Sequence, residues 1–409
     1  MNSLWMRKID LWFGVPLCWL MSLWARLAGR RGRDREGPPR RVLFIELAEI
    51  GGLVVAYPAL ARARALFPQA ELYFLTFQAG QGILDLLGVV DRTHQIIIRP
   101  DGLPTFLADT WRAIRTMRRL GIDATVNLET FARFSTLLAY LSGAGRRAGF
   151  HRFHDEGRYL GELVTHKVVY NPHVHAALTF VSLAQALAEP ASDQPRAKVS
   201  LQGVSLDLPR LEAGGPARAA MAAKLREQFP DYAKGQRLVL VNPNASDLVP
   251  VRRWPLESFL ELIQGLLEDP ELLVAFTGTR GERPQAEELR QRLGSPRVLD
   301  MAGQTTLPEL IDLYNLADLL ITNDSGPAHF ASLAGLPTLV MFGPETPDIY
   351  GPLGPQVRVV YRGLACSPCV SAYNQKLSPC RDNLCMRGIT PTGMLERARA
   401  ILAGGDSPK

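Results

Sequence analysis

The sequence predicts an α/β protein built on two doubly wound parallel sheets, one in each half of the chain. Short apolar runs, which suit strands buried on both faces, alternate with longer segments of helical periodicity. The alternation stops at residues 190–234, which are rich in Pro, Ala, Gly and charge, and then starts again. Strand–helix alternation of this kind produces a parallel sheet covered by helices, so each half is expected to be one such domain.

The composition agrees with two folded domains. The 409 residues are 47% hydrophobic and 21% charged, which excludes wholesale disorder and leaves enough apolar side chains for two cores. Residues 1–41 hold nine basic and three acidic side chains and so carry the whole net charge of +6. Because the rest of the chain is neutral overall, we expect no nucleic-acid partner.

Residues 1–40 are predicted to be a membrane-associating tail and a basic linker. The uncharged run from Leu11 to Ala25 carries three tryptophans, but Gly14 and Pro16 interrupt it, and it is shorter than the roughly 20 residues that span a bilayer. Indole rings favour the headgroup region and arginines favour anionic lipid, so we expect peripheral attachment to the inner, cytoplasmic face of the membrane. The arginines after the run disfavour a cleaved signal peptide. A helix that packs on the protein itself is the remaining alternative.

The first domain is predicted at residues 41–205. Its opening strand, RVLFIEL, begins at Arg41 and leads into a turn with the glycine pair Gly51 and Gly52. A helix that ends near Pro68 comes next, and the strands AELYFLTF, HQIIIRP and DATVNL follow, with a helix before the last of them. Parallel sheets bind ligands beyond the carboxyl ends of their strands, which directs attention to the loops there.

The second domain is predicted at residues 206–409. It opens with the strand QRLVLVNPNAS and continues as helix 256–267, strand LLVAFTGT, helix 285–293, strand RVLDMAG, helix 307–316, and the strands DLLITND and TLVMFGP. Two such domains in sequence normally enclose a cleft. We therefore expect the functional residues in the polar loops that follow these strands.

The segment DSGPAH joins an apolar strand to a helix of small residues. A helix N-terminus presents free backbone N–H groups to an anion, Gly326 permits close approach, and Pro327 suits the first helical turn. These features predict a phosphate site, with Asp324 and Ser325 at the strand tip and His329 on the first turn. The alternative is that Asp324 or Ser325 only caps the helix, which leaves His329 unexplained.

Two further strand ends of the second domain carry polar groups. Asn244 and Ser246 follow one strand, and Arg252 lies just before the next helix, where a cation and a hydroxyl could neutralise a diphosphate. A solvated arginine pair is the alternative. Glu282 follows the glycines of FTGTRGE, where an acid can bind ribose hydroxyls. It could equally be a first-turn acid favoured by the helix dipole.

Four of the five cysteines lie in a Cys-rich loop at residues 366–385, namely Cys366, Cys369, Cys380 and Cys385. Two thiol pairs separated by a loop suggest a tetrahedral structural zinc site. The second pair is separated by four residues rather than two, so free thiols or a redox-labile pair are alternatives.

Together, the motifs NPNAS…RRWP, FTGTRGE, MAGQTTLPEL and TNDSGPAHFASLAGLPTLVMFGP resemble glycosyltransferase family 9, the heptosyltransferase family. The match includes RVLFIELAEIGGLVVAYPAL and VNLETFARFSTLLAYLSGAGRRAGF in the first half, and extends from Arg41 to about Pro391. The resemblance implies a GT-B fold, in which two Rossmann-like domains face a cleft. It also implies a nucleotide-sugar donor in the second domain, an acceptor in the first, and inverting transfer that needs no catalytic metal or other cofactor.

The resemblance implies roles for individual residues. Ser246 and Arg252 would hold the diphosphate, with Arg252 where the family usually has lysine. The full set expected to bind the donor is Asn244, Ser246, Arg252, Glu282, Thr305, Asp324, Ser325, Gly326 and His329. The set expected to bind the acceptor is Gly51, Gly52, Asn127, Arg133 and Arg146.

The sequence departs from the family at the expected general base. The family usually has a Gly-Asp pair whose aspartate is taken as the base, and this chain has Gly51-Gly52. Glu49 is the nearest carboxylate, three residues before Gly52, and we predict that it takes the proton from the acceptor hydroxyl. The alternative is that Glu49 only caps the loop.

The resulting prediction is a glycosyltransferase that moves heptose or a related sugar from a nucleotide diphosphate sugar to a lipid-linked or anionic glycan, in building a bacterial surface glycolipid or polysaccharide. ADP-heptose is the family's usual donor. The alternative is a catalytically inactive scaffold that binds nucleotide sugar or glycan, since the usual aspartate is absent.

Overall fold

The computed structural model describes residues 10–27, 37–47, 49–152, 157–196, 200–232, 236–246 and 249–405, with the backbone alone for 192–196. The chain divides into two compact units, Met1–Leu206 (unit 1) and Asp207–Lys409 (unit 2). This division falls one residue from the boundary predicted from composition.

Unit 1 contains a parallel sheet of seven strands. They are β1 (Arg41–Ile45), β2 (Glu71–Phe77), β3 (Gln95–Ile98), β4 (Ala124–Asn127), β5 (Arg146–Phe150), β6 (His166–Val168) and β7 (Ser192–Arg196). Their order in the sheet is β3-β2-β1-β4-β5-β6-β7. The order reverses between β1 and β4, so the loops after these two strands flank the point at which doubly wound sheets bind ligands.

The helices of unit 1 in the described residues are α1 (Gly14–Leu27), α2 (Ile50–Val55), α3 (Tyr57–Leu66), α4 (Gln78–Leu87), α5 (Leu103–Leu120), α6 (Arg133–Leu141) and α7 (Ala176–Ala186). Ala113 and Met117 of α5 share one hydrophobic core with Leu138 and Ala139 of α6 and with side chains from β1, β2 and β3. Helices α5 and α6 therefore cover the same face of the sheet.

The strands and the helix predicted for the start of unit 1 are confirmed, and the second half of its sheet was missed. The segments of β5 and β6 are short and partly polar, so their apolar pattern is weak. The segment AKVSLQ also has the sequence pattern of a strand. Its first three residues, 197–199, lie outside the described residues, and β7 ends just before them at Arg196.

Unit 2 contains a parallel sheet of six strands, β8 (Arg237–Asn242), β9 (Leu272–Phe276), β10 (Val298–Asp300), β11 (Leu319–Asn323), β12 (Thr338–Phe342) and β13 (Val357–Tyr361). Their order is β10-β9-β8-β11-β12-β13, which reverses between β8 and β11. The interior positions of β8, β9, β11 and β12 are fully buried. That burial explains why these strands read as uninterrupted apolar runs in the sequence.

The helices described in unit 2 are α8 (Gly215–Gln228), α9 (Leu256–Leu266), α10 (Arg283–Leu293), α11 (Leu307–Tyr314), α12 (Gly326–Ala334), α13 (Pro347–Tyr350), α14 (Leu384–Arg387) and α15 (Pro391–Leu402). The three helices predicted between the strands of this sheet are confirmed within two residues at each end. Two doubly wound parallel sheets, one per unit, are thus what the sequence predicted.

Helix α1 lies against unit 1 through one side only. Cys18, Ser22 and Ala25 are buried, whereas Trp19 and Trp24 are exposed on the other side. The segment therefore packs on the protein itself, as one of the sequence alternatives proposed, and still presents an apolar surface to solvent. Within the residues that the structure describes, no helix is long and apolar enough to cross a membrane.

Asp10 fixes this segment to the start of α6. Its Oδ1 accepts hydrogen bonds from the backbone N–H groups of Arg133 and Phe134, both at 3.0 Å, and its Oδ2 lies 3.0 Å from Arg133 Nη1. Arg133 Nε donates to the Tyr159 carbonyl at 3.0 Å. A Cβ on Gly14 would lie 2.8 Å from Arg133 Cβ, so only glycine allows this close approach.

Candidate functional site

Asn323 organises the carboxyl edge of the unit 2 sheet. Its side-chain amide donates to the carbonyls of Pro243 at 2.9 Å and Asn244 at 3.2 Å, and its Oδ1 accepts from the Trp254 N–H at 3.1 Å. These hydrogen bonds join the end of β11 to both ends of the connection between β8 and α9. The sequence analysis assigned Asn323 no role, although it directly precedes the DSGPAH segment.

Arg252 and Asp324, which the sequence placed in one site, are in contact. Arg252 lies in a 3-10 turn, Pro250–Arg252, and its Nε is 3.3 Å from Asp324 Oδ2. The same guanidinium pairs with Glu345, which follows β12 and is 1% exposed. Arg252 is therefore held between two buried carboxylates, which excludes the alternative of a solvated arginine.

Lys376 of the Cys-rich loop adds a second cation. Its Nζ lies 3.7 Å from Glu345 Oε1 and 4.6 Å from the centroid of the Tyr350 ring. Gln375 and Lys376 both have left-handed backbones, with φ of 60° and 56°, a conformation that costs most residues roughly 1 kcal/mol. Strained residues of this kind cluster at functional sites.

The start of α12, where the sequence predicts a phosphate site, has no side-chain cap from its N-cap residue. Ser325 is the N-cap residue, but its side chain makes no capping bond. The hydroxyl instead donates back to the Asn323 carbonyl at 3.1 Å. His329 lies buried on the first turn. The capping alternative is therefore not what Ser325 does, and Asp324 pairs with Arg252.

Asn244 and Glu282 meet at Gly278, in the loop after β9. A Cβ on Gly278 would lie 3.0 Å from Asn244 Nδ2 and 3.1 Å from Glu282 Oε2. Glu282 Oε2 accepts from the Thr279 N–H at 2.7 Å and its hydroxyl at 2.9 Å. This capping box makes Glu282 a first-turn acid, as its alternative proposed. Asn244 is buried, and its Nδ2 has no hydrogen-bond partner among the described residues.

The remaining two residues of the predicted donor set lie at the same edge of the sheet. Ser246 is exposed in the loop after β8, and its carbonyl accepts from the Val249 N–H at 3.1 Å. Thr305 lies between β10 and α11, just before Thr306, which caps α11. All nine predicted residues are therefore in loops or first turns at the carboxyl ends of strands of one sheet.

The Cys-rich loop braces this edge through hydrogen bonds. The Asn383 amide donates to the carbonyls of Val251 at 3.1 Å and Arg253 at 2.9 Å, on either side of Arg252. The backbone N–H groups of Cys369 and Val370 both donate to Pro344 at 3.0 Å, next to Glu345. The loop thus supports both Arg252 and its carboxylate partner.

Cys366, Cys369, Cys380 and Cys385 are free thiols in the structure, and the structural zinc site stays a prediction. Across the described ranges, no three His, Cys, Asp or Glu side chains are grouped to hold a metal ion, and none of these thiols forms a disulfide. The Cys380 thiol donates to the Asp382 carbonyl at 3.0 Å, and Cys369 Sγ lies 3.2 Å from Ser378 Oγ. Burial raises the pKa of Cys385.

In unit 1, two glutamates and a glycine meet after β1. Glu49 is exposed and occupies the N-cap of α2 without a side-chain capping bond, so the capping alternative is not observed. Gly51 and Gly52 lie within α2 rather than in a preceding turn. A Cβ on Gly52 would lie 3.2 Å from Glu49 Cβ and 3.5 Å from Oε1 of the buried Glu46.

The predicted acceptor residues do not all gather at this edge. Asn127 ends β4 and is buried, with its Nδ2 donating to Thr136 Oγ1 at 3.3 Å. Arg146 begins β5 and is in register with Ala124, the first residue of β4. It therefore lies at the opposite edge of the sheet from Asn127. We had expected both residues in one site, and the direction of β5 excludes that for Arg146.

Arg133 requires a second correction. It lies at the expected edge, but its side chain is buried and bound to Asp10 and Tyr159. Its guanidinium anchors the N-terminal segment instead of facing a ligand. Glu129, which also follows β4, accepts a hydrogen bond from the Leu47 N–H at 2.8 Å and joins the loops after β1 and β4.

The fold and site define a class of α/β protein with two doubly wound sheets. The second sheet carries a cation, a helix N-terminus and a buried amide at the edge where such sheets bind nucleotides. The sequence model of glycosyltransferase family 9 (heptosyltransferase) matches residues 110–378. The chain belongs to this family, which confirms the resemblance found in its motifs and makes it a glycosyltransferase by family.

Known proteins agree with this assignment. The chain is 29% identical to lipooligosaccharide heptosyltransferase 2 of Campylobacter jejuni over 44% of its own length and 56% of that relative. It is 24% identical to lipooligosaccharide heptosyltransferase 2 of Haemophilus ducreyi over 78% of its length and 88% of that protein. The first match spans only about half of the relative.

A solved structure shares the fold. The E. coli ADP-heptose lipopolysaccharide heptosyltransferase II superposes with a TM-score of 0.66 at 19% identity, covering 89% of this chain and 99% of that one. The fold prediction of two Rossmann-like domains is therefore confirmed.

Proposed function

We propose that this protein transfers a heptose or related sugar from a nucleotide diphosphate sugar to a growing lipopolysaccharide or lipooligosaccharide. The observation that carries the proposal is the contact of Arg252 with Asp324 at the N-terminus of α12. This contact places a cation and a carboxylate beside the N-terminus of α12, at one edge of the sheet. A diphosphate needs the cation and the N–H groups, and the carboxylate suits a sugar hydroxyl.

The proposed donor is ADP-heptose. The E. coli structure that shares the fold is named for ADP-heptose, and the matched relatives are named lipooligosaccharide heptosyltransferases. The Asn244 amide beside Gly278 is a buried donor group available for the nucleoside part. Glu282 uses Oε2 for its capping box, which leaves Oε1 for a ribose hydroxyl.

In the proposed mechanism, Glu49 takes the proton of the acceptor hydroxyl as its oxygen attacks the anomeric carbon. The bond from that carbon to the diphosphate oxygen breaks, and the nucleoside diphosphate leaves with the electron pair. Attack opposite the leaving group inverts the anomeric centre, and no metal enters this step. Asp324 and Glu345 together neutralise Arg252 and Lys376. The N–H groups of α12 would therefore supply much of the stabilisation of the leaving charge.

We also propose that the protein works at the inner surface of the cytoplasmic membrane, with α1 as the contact. Its exposed side chains include Trp19 and Trp24 at 54% and 62% exposure, and tryptophan favours the headgroup region of a bilayer. A cluster of arginines follows the helix in the sequence. A lipid-linked acceptor would then be presented where the enzyme is bound.

The test is a transfer assay with the purified full chain, ADP-heptose and a lipooligosaccharide core that lacks heptose. We expect a product heavier by one heptose in mass spectrometry, with inverted anomeric configuration by NMR, and unchanged turnover in the presence of a chelator. Tight ADP binding with no transfer to any of a panel of core acceptors would instead support the inactive scaffold.

A further inference from the structure

Helix α5 exposes a row of large apolar side chains that continues into arginines. Leu103, Leu107 and Trp111 are spaced four residues apart and so share one side of the helix. They are 53%, 56% and 62% exposed. Arg115 and Arg118 continue the same side and are also exposed. A contiguous exposed row of this size marks an interaction surface.

Helix α5 and the segment just before α1 both contact the first turn of α6. The ring centroids of Phe106 in α5 and Phe134 in α6 are 5.1 Å apart, and the Phe134 N–H donates to Asp10 at 3.0 Å. The segment that Asp10 begins exposes a second apolar group, which comprises Trp12, Phe13, Trp19, Leu20 and Trp24. The two exposed groups therefore flank α6.

Both groups are near the edge of unit 1 that carries Glu46 and Glu49. Helices α5 and α6 follow β3 and β4, so their first turns lie at the carboxyl edge of the parallel sheet. Leu103 is the first residue of α5, and Asp10 caps the first turn of α6. The apolar surface thus begins beside the loops that would receive the acceptor.

We propose that the row formed by Leu103, Leu107 and Trp111 is a second membrane contact, which binds an anionic lipid surface together with α1. The inference rests on the membrane contact proposed for α1 and extends it. Charge selects lipid over protein as the occupant. The apolar row ends in Arg115 and Arg118, as suits an anionic headgroup layer, and the sequence after α1 is also rich in arginine.

Two membrane contacts would fix the orientation of unit 1 on the lipid surface, which α1 alone would not. A single helix could bind lipid while unit 1 rotates about it, whereas two separate contacts on unit 1 would fix its orientation. The carboxyl edge with Glu49 would then be held next to the headgroups, where a lipid-linked sugar emerges. The α5 row therefore adds orientation to the attachment that α1 provides.

The test is co-sedimentation of the full chain with vesicles of phosphatidylcholine alone or mixed with phosphatidylglycerol. The variant carries Leu103→Ser, Leu107→Ser and Trp111→Ser together. Because three large apolar side chains no longer enter the lipid, binding of the variant to the vesicles should be weaker by about tenfold or more. The matched control replaces exposed apolar residues of unit 2, Val359→Ser with Leu384→Ser, and should partition like the wild type. Thermal unfolding and ADP affinity check that each variant is folded.

Further variants distinguish the α5 contact from the α1 contact and from self-association. Arg115→Gln should weaken binding to the anionic vesicles and leave binding to the neutral ones unchanged. If the triple variant partitions like the wild type while Trp19→Ser with Trp24→Ser does not, the α5 contact is wrong and the α1 contact stands. If the wild type binds no vesicles, both membrane proposals fail, and the transfer assay still decides the enzymatic one. A change of mass in light scattering with unchanged vesicle binding would make the row an interface between copies of the chain.

Discussion

Arg252 Nε lies 3.3 Å from Asp324 Oδ2, and the opposite end of the same guanidinium pairs with Glu345. The Arg252 side chain is 13% exposed and the two carboxylates still less. A buried charge is stable only while it is paired. This arrangement makes Arg252 the element that holds the ends of β11 and β12 together at the proposed phosphate site.

Arg252→Gln should therefore lower both stability and nucleotide affinity. It leaves the buried Asp324 without its cation and Glu345 with Lys376 alone, which should cost about 3 kcal/mol of unfolding free energy. Affinity for ADP should fall about tenfold or more, because an ionic hydrogen-bond donor to phosphate is lost. Chemical denaturation and calorimetric titration measure the two effects.

Arg252→Lys is the matched variant for this prediction. It keeps the charge but cannot contact both carboxylates through a planar fork. We expect ADP affinity between those of the wild type and Arg252→Gln. Equal affinity in all three proteins would show that Arg252 serves only to hold the two loops.

Lys376 should contribute to diphosphate binding as a cation delivered by the Cys-rich loop. Lys376→Met keeps most of the side-chain stem over Tyr350 and removes the charge 3.7 Å from Glu345. We expect ADP affinity to fall several-fold to about tenfold at low salt, and the loss to be smaller at high salt. Affinity for adenosine, which has no phosphate, should not change.

Two further variants separate charge from structure at Lys376. Lys376→Arg should restore most of the ADP affinity, since it returns the cation. Arg381→Gln removes an exposed cation from the same loop and should leave ADP affinity unchanged. An equal loss in Lys376→Met for ADP and adenosine would point to a general disturbance of the loop instead.

Sequence reasoning located the donor edge because one rule applies throughout a parallel sheet: polar residues that follow buried strands meet at one edge. That rule predicts the observed contact of Arg252 with Asp324. It could also have found Glu345, which follows β12 in the same way. It could not find Lys376, because the path of the Cys-rich loop depends on two left-handed backbones and on hydrogen bonds to distant loops.

The acceptor edge was harder to predict for a different reason. The charge of Arg146 suited an anionic acceptor, but the edge of the sheet at which it lies depends on where β5 begins. The apolar pattern of β5 is too weak for its first residue to be predicted. Arg133 was placed at the correct edge, but its partner, Asp10, is 123 residues away in the sequence. No local signal indicates such a pair.

Glu49 should be the general base. Glu49→Gln keeps the shape of the side chain and removes its ability to take a proton, so turnover should fall about 100-fold or more. ADP affinity, which belongs to unit 2 in this proposal, should stay at the wild-type value. The assay is heptose transfer to the core acceptor under saturating donor.

Glu46→Gln is the matched control for Glu49. Glu46 is buried, and its Oε1 lies 3.5 Å from where a side chain at position 52 would begin. We expect a modest loss of turnover for Glu46→Gln, through a changed loop. If Glu46→Gln abolishes transfer and Glu49→Gln does not, the base is Glu46 and the prediction is wrong.

Asp10→Asn should loosen α1 from unit 1. Asp10 neutralises Arg133, which is 3% exposed, and accepts two N–H groups at the start of α6. The variant keeps an acceptor oxygen for the helix but leaves the guanidinium without a counter-charge, so unfolding free energy should fall by about 2 kcal/mol. Amide exchange should become faster in Gly14–Leu27, measured by mass spectrometry.

Asp101→Asn, an exposed acid in the same unit, should change neither quantity. Slow exchange retained throughout α1 in Asp10→Asn would mean that the packing of Cys18, Ser22 and Ala25 suffices to hold the helix, and that the ion pair has no anchoring role.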